Sequence, residues 1–152
     1  MEGTISGHCR CGAVALRVVA EPLMTMACHC TGCRRMTASA FSLSMLLPAS
    51  GLTVVSGTIE RGGAGTGPFH AFCPRCKAWL FTRPEGLEDF VNLRATVLDD
   101  HGGFAPYAEF WTREQLPWAT TPAVRSFETV PEPTGWAELL AAYAASRATH
   151  VR

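Results

Sequence analysis

The seven cysteines of this 152-residue chain stand in three groups whose spacings are typical of metal ligands. The groups are Cys9-Arg-Cys11, Cys28-His-Cys30-Thr-Gly-Cys33 and Cys73-Pro-Arg-Cys76. Four ligands close a structural zinc site, whereas a catalytic site uses three protein ligands and keeps one position open. The outer pairs supply four thiolates and the middle group supplies three. The cysteine arrangement therefore predicts two zinc ions per chain, one structural and one catalytic.

The two outer pairs form what we call the four-cysteine cluster, made of Cys9, Cys11, Cys73 and Cys76. A Cys-x-Cys unit on an extended strand places both thiolates on one face, because strand side chains alternate. A Cys-x-x-Cys unit has the spacing of a zinc knuckle, in which a tight turn directs both sulfurs to one metal. We expect this cluster to join the first hairpin to the middle of the chain and to contribute to the free energy of folding.

The middle group, which we call the trio, consists of Cys28, Cys30 and Cys33. Its three sulfurs are expected on a strand end and one helical turn. Three thiolates make a zinc ion electron-rich, which suits binding a substrate thiolate better than generating hydroxide. The alternative is a second closed site in which a histidine is the fourth ligand: His29, His8 or His70. For His29, which lies between two ligands, a hydrogen bond that supports the site is favoured over direct ligation.

Composition excludes several classes of function. Thirteen basic residues balance thirteen acidic ones, and Lys and Arg form no run. Such a chain is a poor match for nucleic acid or an anionic membrane. The hydrophobic fraction of 47% is typical of a globular domain with its own core. Since neither a secretory signal nor a membrane-length apolar run is evident, we expect a cytoplasmic protein whose thiols bind metal instead of forming disulfides.

Alternating apolar residues indicate the elements that must position these cysteines. The alternation predicts strands at residues 14–18, 41–47, 90–98 and 107–111, separated by breaks that contain Gly and Pro. Many short strands with turns at this spacing indicate an all-β domain of folded-over, mainly antiparallel sheets.

Two segments depart from the strand pattern. Residues 31–38, directly after the trio, are predicted to form a short helix. Near the end of the chain, apolar residues at i, i+3, i+4 and i+7 predict an amphipathic helix: Trp136, Leu139, Leu140 and Tyr143. We therefore expect a zinc-binding β domain over residues 1–133, with a C-terminal helix and tail over 134–152 packed on the same domain.

The cysteine groups resemble three ordered motifs of the glutathione-dependent formaldehyde-activating enzyme family. The corresponding segments are Gly7-His-Cys9-Arg-Cys11-Gly12, Cys28-His-Cys30-Thr-Gly-Cys33-Arg34 and Phe72-Cys73-Pro-Arg-Cys76. The likeness runs from about residue 3 to residue 118. It implies the Mss4-like fold, in which folded-over β-sheets carry zinc sites.

The same resemblance implies roles and partners. The four-cysteine cluster would hold the structural zinc, and Cys28, Cys30 and Cys33 would hold the catalytic one. The implied partners are a small-molecule thiol such as glutathione and a small aldehyde, which add to give S-hydroxymethylglutathione in a carbon–sulfur lyase type of reaction. Arg34 and Arg35 could bind carboxylates of such a substrate, because an Arg guanidinium binds carboxylate bidentately. A solvated helix face is the alternative for both.

One position departs from the family pattern. Lys77 and Ala78 follow Cys76, where the family usually has Gly and a small polar residue. Gly suits a knuckle that ends with a positive φ, and another residue there costs about 1 kcal/mol. We expect the structural site to tolerate this cost, because zinc binding contributes far more.

Two other classes of function remain open at this stage. The chain could be a non-catalytic, zinc-stabilised binding module, since a fold does not determine a function. It could also be a thiol redox switch in which two cysteines of the trio form a disulfide on mild oxidation.

Overall fold

The computed structural model describes residues 3–100 and 104–149, with side chains up to residue 147. The β domain predicted over 1–133 and the helix and tail predicted over 134–152 begin and end, at residues 1 and 152, outside this described part of the chain. Its regular elements are eleven strands and two helices: β1 Ile5–His8, β2 Ala15–Val18, β3 Met24–Cys28, α1 Thr31–Thr37, β4 Ser42–Pro48, β5 Leu52–Ser56, β6 Glu60–Gly62, β7 Phe69–Phe72, β8 Trp79–Arg83, β9 Phe90–Arg94, β10 Ala108–Phe110, β11 Arg125–Ser126 and α2 Gly135–Thr149.

The chain divides into two compact units. Unit 1 comprises Met1–Pro22 and Ser44–Phe104, and unit 2 comprises Leu23–Leu43 and Ala105–Arg152. The four-cysteine cluster lies in unit 1, and the trio lies in unit 2.

Unit 1 is built from antiparallel strands. One sheet has the order β1-β2-β5, and the other strands follow the order β4-β9-β8-β7-β6, with the Ser44–Pro48 part of β4 pairing with β9. Leu16, Leu80, Phe81 and Leu93 are almost fully buried and form part of its core. Burying a side chain of this size contributes about 1.5–3 kcal/mol, so the core supports the loops that carry the cysteines.

Unit 2 contains three strands in the order β11-β10-β3, and both pairings are parallel. Helix α2 packs against β10 and the residue before it through aromatic contacts. The ring centroids of Tyr143 and Tyr107 are 5.3 Å apart, and those of Trp136 and Phe110 are 5.5 Å apart. These contacts give the apolar face of α2 a packing partner within unit 2.

The fold class predicted from the sequence is confirmed: the described residues form mainly antiparallel β-structure with a C-terminal helix, consistent with an Mss4-like fold. The strand predicted at residues 90–98 ends early, because the chain turns through Ala95–Val97 and pairs Leu98 with Gly7. Gly7 permits this approach, since a Cβ there would lie 2.6 Å from the Val97 carbonyl oxygen. Across the described residues, neither helix has the length and apolar character needed to cross a membrane.

Candidate metal centres

The structure brings together both groups of cysteines that the spacing predicts. Within the four-cysteine cluster, and likewise within the trio, all Sγ atoms lie within 4.8 Å of one another. The Sγ atom of Cys11 is 3.6 Å from that of Cys9 and 3.9 Å from that of Cys73. Sulfurs at the corners of a zinc tetrahedron lie about 3.8 Å apart, given a Zn–S bond of about 2.3 Å. All seven cysteines are free thiols, so both donor sets fit zinc.

The first pair of the four-cysteine cluster lies in a turn, not on a strand. Strand β1 ends at His8, and the Gly12 N–H donates to the Cys9 carbonyl oxygen at 2.9 Å. Gly12 adopts a φ of 73°, which glycine tolerates without the strain of a side chain. The expectation that Cys9 and Cys11 share the face of an extended strand is wrong, because the chain reverses here to enter β2. The turn nevertheless points both sulfurs to one place.

The second pair forms the predicted knuckle. The Lys77 N–H donates to the Cys73 carbonyl oxygen at 2.9 Å, and the Cys76 N–H donates to the Cys73 Sγ at 3.5 Å. In the first pair, the Val14 N–H donates to the Cys9 Sγ at 3.3 Å. Burial alone would raise the pKa of the Cys9 thiol, but hydrogen bonds from Val14 and the neighbouring thiols outweigh it and lower this pKa to about 6. These contacts favour the thiolate of Cys9, the form that binds metal, whereas hydrogen bonds to the neighbouring cysteines raise the pKa of Cys11 to about 11.

Lys77 has the positive φ that the family pattern suggests, a backbone conformation that is strained for a residue with a side chain. Its φ is 58°, and its Nζ lies 2.7 Å from the Glu60 Oε1. We expect Lys77→Gly to be more stable than Lys77→Ala by about 1 kcal/mol, because both lose the ion pair and only Gly relieves the backbone strain. Denaturant unfolding of the two zinc-loaded variants measures this difference. Equal stabilities would show that the knuckle is not strained at this position.

The trio occupies the strand end and helical turn that the sequence predicts. Cys28 is the last residue of β3, and Cys30 is the N-cap of α1, where its Sγ accepts the Cys33 N–H at 3.3 Å. The predicted helix at residues 31–38 is confirmed: it ends at Thr37, and its C-cap Ala38 adopts the left-handed conformation. In the described part of the chain no His, Asp or Glu joins these three cysteines in a metal-binding group.

Hydrogen bonding within the trio concentrates negative charge on one sulfur. Hydrogen bonds from the thiols of Cys28 and Cys33, together with backbone N–H groups, lower the pKa of Cys30 to about 2. Cys28 donates hydrogen bonds to the neighbouring cysteines, which raises the pKa of its own thiol, and burial raises this pKa further. Cys30 is therefore the cysteine of the trio whose thiolate form is most favoured.

His29 is completely buried beside the trio and is directed to a carboxylate. Its Nε2 lies 3.1 Å from the Glu109 Oε2, which also accepts a hydrogen bond from Thr121 at 2.7 Å. The Glu109 Oε1 accepts another from Ser126 at 2.7 Å. Burial would raise the pKa of Glu109, but these three donors outweigh it and hold the pKa below its usual value. Glu109 is therefore ionised at neutral pH.

A second carboxylate holds the first residue of α1. The backbone N–H and the hydroxyl of Thr31 both donate to the Glu114 Oε2 at 2.7 Å, and these bonds lower the pKa of Glu114. The Arg34 Nη2 also donates to the Thr31 hydroxyl at 3.2 Å. The Arg34 Nε is buried and has no partner among the described residues, whereas Arg35 is exposed.

Neither carboxylate was predicted from the sequence. Glu109 stands between apolar residues in the strand predicted at 107–111, and an acidic residue in such a buried position needs hydrogen-bond donors. The apolar neighbours of Glu109 could therefore have indicated a buried carboxylate with hydrogen-bond donors around it. Glu114 offered none, because its partner Thr31 is 83 residues away in the sequence.

Comparison with known proteins identifies the chain's relatives. The sequence model of the glutathione-dependent formaldehyde-activating enzyme family matches residues 4–114, which include all seven cysteines. A protein from Rhodobacter sphaeroides of known crystal structure is 27% identical, with a TM-score of 0.50 over 66% of this chain and 91% of that chain. No curated protein matches significantly. The resemblance found in the cysteine motifs is thereby confirmed, and this chain belongs to the glutathione-dependent formaldehyde-activating enzyme family.

Proposed function

We propose that this protein is a zinc-dependent enzyme that forms or cleaves the carbon–sulfur bond of a thiol–aldehyde adduct. The best candidate is the adduct of glutathione and formaldehyde, S-hydroxymethylglutathione. The observation that carries the proposal is the trio itself: three sulfurs within 4.8 Å of one another, without a fourth His, Asp or Glu ligand among the described residues. Membership of the family supports the thiol and aldehyde substrates.

The four-cysteine cluster would hold a structural zinc ion, and Cys28, Cys30 and Cys33 would hold a catalytic one. A zinc ion with three thiolate ligands accepts a soft fourth ligand such as a thiolate and stabilises its deprotonated form. The cysteines of the trio act as ligands in this proposal, and the substrate's sulfur is the nucleophile.

The addition is balanced without any redox partner. The substrate sulfur loses its proton and bonds to the aldehyde carbon, the carbonyl electron pair moves to oxygen, and a proton is delivered to that oxygen. The reverse reaction breaks the carbon–sulfur bond and releases the aldehyde.

Arg34 and Arg35 are proposed to bind the substrate's carboxylates. Both lie in the last turn of α1, the helix that carries Cys33. The Arg34 Nε is buried and has no partner among the described residues, and Arg35 is exposed. His29 has a supporting role here, since its Nε2 is engaged by Glu109.

Cobalt substitution tests the proposal. Glutathione added to the cobalt-loaded protein is expected to produce a new sulfur-to-cobalt charge-transfer band, because the trio leaves one ligand position for the thiol. S-methylglutathione is the matched control, since its sulfur is blocked, and it should leave the spectrum unchanged. No spectral change with any thiol, or a protein side chain occupying the fourth position, would favour a non-catalytic binding module.

A further inference from the structure

Two carboxylates of a single segment hold the two residues that lie next to Cys30. Glu109 contacts His29 at 3.1 Å, and Glu114 contacts Thr31 through two hydrogen bonds of 2.7 Å. Both contacts lie within unit 2. The central cysteine of the trio is thus flanked on either side by a residue whose position depends on a distant carboxylate.

Strand pairing delivers these carboxylates to the trio. Strand β10 runs parallel to β3 with Phe110 opposite Cys28, and the His29 N–H donates to the Phe110 carbonyl oxygen at 3.0 Å. The chain then turns through Thr112–Glu114, which brings Glu114 to the start of α1. The single segment from Glu109 to Glu114 therefore contacts both neighbours of Cys30.

The contact between Glu109 and His29 is built to fix one ring orientation. Glu109 accepts three hydrogen bonds, so its carboxylate cannot rotate without losing one of them. The His29 Nδ1 is buried and has no partner among the described residues. Burying an unpaired nitrogen lone pair costs less free energy than burying an N–H that has no acceptor. We therefore assign the ring proton of His29 to Nε2, which donates it to Glu109. His29 is completely buried, so water cannot replace this contact.

The contact between Glu114 and Thr31 fixes the helical turn. The Thr31 N–H belongs to the first turn of α1, where backbone donors lack partners within the helix. Glu114 supplies the acceptor for this N–H and for the Thr31 hydroxyl. A second donor in the same turn, the Cys33 N–H, is bonded to the Cys30 Sγ. A displaced Thr31 would therefore change the separation of the Cys30 and Cys33 sulfurs.

We propose that Glu109 and Glu114 are positioning residues for the trio, which hold its three sulfurs at metal-binding separation before a metal is present. The proposal rests on the proposed function only in taking the trio as a metal site. It assigns neither carboxylate to the metal or to the substrate.

Cobalt titration of the metal-free full-length chain tests this role. Glu109→Ala and Glu114→Ala are each expected to weaken cobalt binding at the trio about 10- to 100-fold, the usual effect of losing a residue that orients metal ligands. The four-cysteine cluster lies in unit 1 and should keep its affinity within about twofold, which provides an internal control for general unfolding. Glu138→Gln, on the exposed side of α2, should alter neither site.

The conservative variant Glu114→Gln adds a second criterion. Its amide oxygen can still accept the Thr31 N–H, so it should recover most of the affinity lost in Glu114→Ala. If either Glu109→Ala or Glu114→Ala binds cobalt at the trio as tightly as Glu138→Gln, that residue has no positioning role. Equal weakening of both metal sites would also overturn the proposal, because it would indicate a general loss of stability.

The test separates this proposal from the proposed function, since it needs neither thiol nor aldehyde. If the wild-type chain bound cobalt only at the four-cysteine cluster, the proposed function would fail. Amide hydrogen exchange in the metal-free protein would then decide the positioning role. Faster exchange at Thr31 and Cys33 in Glu114→Ala than in Glu138→Gln supports it, and equal exchange overturns it.

Discussion

Replacing Cys73 by Ser is expected to destabilise the protein by several kcal/mol or to leave it unfolded. Cys73 is completely buried, and its sulfur lies 3.9 Å from that of Cys11, 62 residues away in the sequence. Structural zinc contributes about 10–16 kcal/mol in zinc-finger peptides. The whole net stability of a domain is only about 5–15 kcal/mol, so losing one ligand removes a term of comparable size.

Circular dichroism and denaturant unfolding of Cys73→Ser, together with its zinc content, measure this effect. Cys76→Ser, which removes the neighbouring ligand of the same knuckle, should behave alike, although its side chain is less buried. An unfolding midpoint equal to that of the wild type would mean that the four-cysteine cluster is not a structural metal site.

Replacing Cys30 by Ser should leave the protein folded but able to bind only one of the two proposed metal ions. The trio is local in sequence, carried by one strand end and one helical turn, so its loss separates no distant parts of the chain. Cys30 also caps α1 by accepting the Cys33 N–H. Ser is among the best N-cap residues, so the substitution retains the cap while replacing the thiolate.

Metal content should fall from two ions per chain to one in Cys30→Ser, and the cobalt-loaded variant should no longer respond to glutathione. Its unfolding midpoint should remain close to that of the wild type. If Cys30→Ser and Cys73→Ser lose folding equally, the assignment of one structural and one catalytic site is wrong. Retention of two ions in Cys30→Ser would instead mean that the trio is not the second site.

Local spacing was sufficient to predict the trio and the knuckle. Cys28, Cys30 and Cys33 are so close in sequence that one strand end and one helical turn determine how their sulfurs meet. The positive φ of Lys77 was suggested by the family pattern, which usually has Gly there, and the alternation of apolar residues predicted the mainly antiparallel β-structure. Each of these features depends on the geometry of a few consecutive residues.

Local spacing was not sufficient where the chain changes direction. An extended strand and a tight turn can both bring Cys9 and Cys11 together, and the alternation rule favoured the strand. The turn is formed because Gly12 has a positive φ and β2 pairs back onto β1. The turn is caused by the pairing of two strands, and the spacing of two cysteines gives no information about that pairing.

The environment of the trio depended on tertiary structure alone. Glu109 and Glu114 reach His29 and Thr31 across 80 and 83 residues. That meeting requires β10 to lie parallel to β3 in one particular register, with Phe110 opposite Cys28. A register shift of one residue would direct Glu109 to the other face of the strand, because side chains alternate. Cysteine spacing thus predicted which residues could bind metal, whereas the parallel register places Glu109 and Glu114 against the two neighbours of Cys30.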